Sequence, residues 1–71
     1  MKYIIDGENQ YFSTLNEVRN HISIQSDKDR LDYQDMYILC YKGKNYIGCK
    51  DIRISGKRII FSRTIKKQSF E

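Results

Sequence analysis

Proline and tryptophan are absent from this 71-residue chain, glycine occurs four times, cysteine twice and histidine once. Without proline there is no proline-rich linker or rigid spacer. No uncharged apolar run approaches the roughly 20 residues that a membrane-spanning helix requires. Two cysteines fall short of the four or more that staple a small secreted domain. With His21 as the single histidine, they also fall short of the four ligands of a structural zinc site. The expected state of Cys40 and Cys49 is therefore a pair of reduced, buried thiols. The opening Met1-Lys2-Tyr3-Ile4-Ile5-Asp6 meets charge too early for a secretory signal. The expectation is a soluble cytoplasmic protein, in a host cell's cytoplasm if phage-encoded, with no membrane partner.

What is present argues for a folded chain. Hydrophobic residues make up 39% and charged residues 31%, too balanced for a disordered charged tail. The length allows one domain, 1–71, with 66–71 read as a tail. So short a chain buries only about 60% of its unfolded surface, so its core must be thin. Charge is unevenly placed. Residues 1–35 carry four Lys/Arg against seven Asp/Glu, a net −3, and residues 36–71 carry nine against two, a net +7. A half this basic attracts phosphate or an acidic protein surface.

Lys2 to Ile5 reads as a strand, Asp6-Gly7-Glu8-Asn9 as a turn and Gln10 to Phe12 as a returning strand. Thr14-Leu15-Asn16-Glu17 fits a capping box, and Leu15, Val18 and Ile22 form one helical face. The pattern predicts a helix over Thr14–Ile24. Residues 25–35 fit either a loop or a short helix capped by Ser26. From Met36 the period becomes two. A Gly43-Lys44 turn pairs Tyr41 with Tyr46, Cys40 with Ile47, Ile38 with Cys49 and Tyr37 with Lys50. That register sets Ile38, Cys40, Ile47 and Cys49 inward, with Tyr37, Leu39, Tyr41, Tyr46 and Lys50 on the other face. Ile52 and Ile54 then have the wrong parity, which calls for a bulge near Lys50-Asp51 or a sheet covered on both sides. A second turn at Gly56-Lys57 sets Ile54 opposite Ile59 and Ile52 opposite Phe61. The expected fold class is α+β: an N-terminal β-hairpin, one helix, then a three-stranded antiparallel meander.

Catalytic and cofactor signatures are missing. There is no Walker or dinucleotide-binding glycine pattern. Asp6-Gly7-Glu8-Asn9 lacks the closing glutamate of a calcium loop. A Cys40–His21 pair would need a reactive thiol, whereas Cys40 falls on a core face. His21 reads as a solvent-edge residue on the helix flank. Asp27, Asp29, Asp32 and Asp35 read as a solvated acidic segment. The expectation is a non-enzymatic protein with no cofactor or metal.

The feature that stands out is basic and tyrosine-rich. Tyr37, Tyr41, Tyr46 and Lys50 are placed on one face, with Lys42, Lys44, Arg53, Lys57, Arg58 and Arg63 on the same strands or turns. Tyrosine offers flat contact area on which bases stack, lysine and arginine meet phosphates, and Tyr and Arg also anchor protein interfaces. Packing under the helix is the plainer role for these tyrosines. The functional expectation is stoichiometric binding through this face. A protein or nucleoprotein is the expected partner, as for a phage or mobile-element inhibitor of a CRISPR-type nuclease. A small nucleic-acid-binding regulator is the alternative, as is an accessory subunit or self-associating protein that dimerises.

Overall fold

The computed structural model describes residues 1–65; the expected tail over 66–71 lies outside them. Thr14 caps the first helix, α1 (Leu15–Ser23), by accepting a hydrogen bond from the Glu17 amide at 3.2 Å. The reciprocal half of the box differs: the Glu17 carboxylate meets the Thr14 hydroxyl, at 3.4 Å, rather than its amide. Val18 and Ile22 are the buried face of α1. Residues 25–35 resolve as a short helix, α2 (Asp27–Leu31), with the Ser26 hydroxyl accepting from the Asp29 amide. Nothing on α2 is buried.

The strands are β1 (Lys2–Ile5), β2 (Tyr11–Phe12), β3 (Tyr37–Lys42), β4 (Asn45–Ser55) and β5 (Arg58–Phe61). They form one antiparallel sheet in the order β2-β1-β3-β4-β5. This corrects the expected architecture. The N-terminal hairpin is not separate from a three-stranded meander. β1 pairs along its whole length with β3, from Lys2 opposite Tyr41 to Ile5 opposite Ile38, and makes a five-stranded sheet.

The second correction concerns register. Tyr41 pairs with Tyr46 and Lys42 with Asn45, but between Cys40 and Tyr41 the ladder shifts by one. Ile47 and Gly48 together oppose Cys40, which is a β-bulge. Beyond it Leu39 faces Cys49, Ile38 faces Lys50 and Tyr37 faces Asp51. The bulge lies three residues before the place the sequence suggested. The C-terminal chain packs against it. After β5, Ile65 re-pairs with Cys49 through two backbone hydrogen bonds of 2.7 and 2.8 Å. A Cβ on Gly48 would lie 2.7 Å from the Ile65 carbonyl oxygen and 2.8 Å from a Thr64 methyl. Only glycine admits that approach, and its φ of +145° suits it too.

Because side chains alternate across a strand, one extra residue swaps everything beyond it. Ile52 and Ile54 come to the core side, paired with Phe61 and Ile59. Ile5, Ile38, Cys40, Ile52 and Ile59 of the sheet meet Val18 and Ile22 of α1, Phe12 and Tyr33 in one core. Cys49 is equally shut off from solvent but leaves that core for the opposite face, beside Leu39. The expectation that both thiols share the inner face fails there, although both are free and buried.

Candidate functional site

One face of the sheet lies against the core. The other has no helix side chain buried against it among the described residues, since Val18 and Ile22 are the buried residues of α1 and α2 has none. Register places Tyr11, Ile4, Leu39, Cys49 and Ile65 in one row across this open face, Lys2, Tyr41 and Tyr46 in a second, and Tyr37 and Asp51 in a third. Arg53 with Ile60, and Arg58 beyond them, continue it onto β5. Tyr11, Ile60 and Ile65 are 59%, 43% and 37% exposed. The Tyr41 and Tyr46 rings pack edge to face, their centroids 5.6 Å apart. The Tyr46 hydroxyl is shut off from solvent with no well-formed hydrogen bond among the described residues. Burial first, and then the Cys49 thiol beside it, push that hydroxyl's pKa up. Lys2 Nζ stands 5.0 Å from the Tyr11 ring centroid, a cation–π contact.

Of the residues expected in the site, Tyr37, Tyr41, Tyr46, Arg53 and Arg58 share this face. Lys42 and Lys44 are exposed at the β3–β4 tip beside Tyr41 and Tyr46. Lys50 does not belong. The bulge turns it to the core side opposite Ile38, where its ammonium donates to the Ser62 carbonyl at 3.1 Å. Lys57 sits in the β4–β5 turn, lining a cavity of about 250 Å³ with Asp27, Arg30 and Leu31 near α2. Arg63 is exposed beyond β5. The residues that sequence reasoning missed, Lys2, Ile4 and Tyr11, come from the N-terminal hairpin. Only the β1–β3 pairing brings them here.

A second group was also unforeseen. Tyr33 donates to Glu8 Oε2 at 2.8 Å, and His21 Nε2 lies 3.3 Å from Glu8 Oε1 and 3.4 Å from the Tyr33 hydroxyl. His21 is half-buried against Phe12 rather than at a solvent edge. These residues line an open cavity of about 690 Å³ together with Asn9, Gln10, Tyr11 and Gln25. Burial, then the hydrogen bond and charge of Glu8, raise Tyr33 to about 12. It is a neutral donor, not a base or nucleophile. The three side chains satisfy one another and tie the β1–β2 turn, α1 and the segment after α2 together. Among the described residues no three His, Cys, Asp or Glu side chains gather as metal ligands, and no helix is long and apolar enough to cross a membrane. Comparison with known protein families, characterised sequences and solved structures finds no match.

Proposed function

We propose that this protein works by stoichiometric contact, docking an anionic macromolecule on the open face of its sheet. The observation that carries the reading is the composition of that face. Exposed Tyr11, Ile60 and Ile65 and half-buried Tyr37 and Tyr41 lie where no helix side chain is buried among the described residues. Tyrosine and arginine on one sheet face are the composition of a contact site. Lys2 with Lys42 and Lys44 at the adjoining tip, and Arg53 and Arg58 at the other end, set its sign, against Asp51 and Asp6, whose amide donates to the Tyr37 carbonyl. Asp27, Asp29 and Asp32 belong to α2 and its cap, whereas Asp35 sits against β4, its amide donating to the Ile52 carbonyl.

The test is capture from native host extract with tagged protein. Tyr41→Ala and Arg53→Glu are compared with Asn20→Asp, an exposed change on α1. The face variants lose the captured partner and the α1 variant keeps it, all three melting cooperatively. Equal capture by all variants would refute the assignment.

A further inference from the structure

We infer that the partner of the open face is a single-stranded nucleic acid, an inference that rests on the docking reading above. On this face tyrosines stand on β3 and β4, and cations lie near the strand ends. Tyr41 and Tyr46 stand beside Lys2, Lys42 and Lys44 at the hairpin end, and Tyr37 lies toward Arg53 and Arg58. The Tyr41 and Tyr46 rings lie side by side, centroids 5.6 Å apart, at the hairpin end. A strand laid over the hairpin end meets the Tyr41 and Tyr46 rings with ammonium groups beside them, and reaches the Arg53 and Arg58 guanidinium groups farther along the sheet. Bases stack on such rings for about 1–3 kcal/mol each, whatever their identity, and the cations meet phosphates.

A duplex suits the molecule less well. Its bases are already stacked inward and offer the tyrosines no ring face. Reading the roughly 12 Å major groove with a helix takes a basic one, and neither helix is basic. Around α1 the exposed side chains include Asn16, Glu17 and Asn20, and its single arginine, Arg19, is held over the Phe61 ring at 5.0 Å. α2 balances Asp27 and Asp29 against Lys28 and Arg30. The excess of positive charge that attracts a polyanion therefore lies on the sheet face and its tip rather than on the helices.

Titration of a labelled single strand of about 16 nucleotides, near the upper site size for small single-strand modules, and of the matching duplex tests the inference at two salt concentrations. The single strand binds more tightly than the duplex, and log affinity falls linearly with log salt at about −0.7 per phosphate contacted. Tyr41→Ala weakens single-strand binding about 5- to 100-fold, from the stacking range above. Arg53→Gln flattens the salt slope by about 0.7. Absence of single-strand binding at the lower salt overturns the inference. If the Tyr41→Ala protein still loses its captured partner, the docking reading stands and that partner is a protein. Equal binding of strand and duplex, unchanged by Tyr41→Ala, is electrostatic adhesion and also overturns it.

Discussion

Replacing Gly48 by alanine probes the feature on which the open face depends. The added methyl meets two obstacles that cannot easily yield, a backbone carbonyl oxygen at 2.7 Å and the Thr64 methyl at 2.8 Å. Ile65 is itself fixed by its paired hydrogen bonds to Cys49. The φ of +145° adds backbone strain of about 1–3 kcal/mol for a residue with a Cβ. Overpacking adds about 1–3 kcal/mol more. A loss of about 2–6 kcal/mol is large for 71 residues, whose total stability at the usual density is about 4–10 kcal/mol. In urea, with a slope near 1 kcal/mol per M for so small a chain, the midpoint falls by about 2 M or more, or the variant does not fold. Gly56→Ala is the control. It has a φ of +60° and nothing within 4 Å of the new methyl, so it costs only the left-handed penalty of about 1–2 kcal/mol. A Gly48→Ala midpoint no lower than that of Gly56→Ala would refute the bulge and return Cys49 to the core side.

Other expectations are read from single measurements. Thr14→Ala costs about 1 kcal/mol in urea unfolding through the lost cap, whereas Val18→Asp, which puts an unpaired charge into the core, costs several times more; equal midpoints would remove α1 from the core. Tyr46→Phe deletes a buried hydroxyl that lacks a well-formed partner among the described residues, so its melting temperature equals or exceeds that of the parent, by up to about 1 kcal/mol of stability. Both thiols label slowly in the native protein. Tyr46→Ala speeds labelling at Cys49 and leaves Cys40 slow, a selectivity that an unbroken register would not produce. Alkaline unfolding follows from Tyr33. Its folded pKa of about 12 exceeds the ordinary value of 10.0, so the folded state holds the phenolic proton more tightly. That contribution is intact below pH 10 and is lost as pH rises toward 12. Tyr33→Phe shows a shallower alkaline decline; an identical slope would mean that the Glu8 hydrogen bond does not hold the phenol neutral.

Local pattern was enough wherever partners are close in the chain. The Thr14 cap, the Tyr41–Tyr46 pair across the first turn, and the pairing of Ile54 with Ile59 and Ile52 with Phe61 across the second all follow from turn chemistry and alternation. What escaped depends on distant segments. β1 joins β3 across more than thirty residues, and Glu8, His21 and Tyr33 meet from three elements. The bulge is an intermediate case. An isolated glycine inside a strand pattern is itself a sign of a bulge or of close backbone approach, but the group that approaches Gly48 comes from residues 64 and 65.

That one extra residue makes the core and the candidate site interdependent. Without it, Lys50 would stay beside the tyrosines while Ile52 and Ile54 pointed outward and Arg53 pointed into the core. With it, both isoleucines reach the core opposite Phe61 and Ile59, and Arg53 emerges on the open face next to Ile60. Lys50 is the cost of the exchange, an ammonium on the core side that is kept tolerable by the Ser62 carbonyl. The cationic end of the tyrosine tract is thus supplied by the same parity change that completes the hydrophobic core. Substitutions at Gly48, Thr64 and Ile65 are therefore expected to impair folding and docking together, whereas Arg53→Gln separates the two.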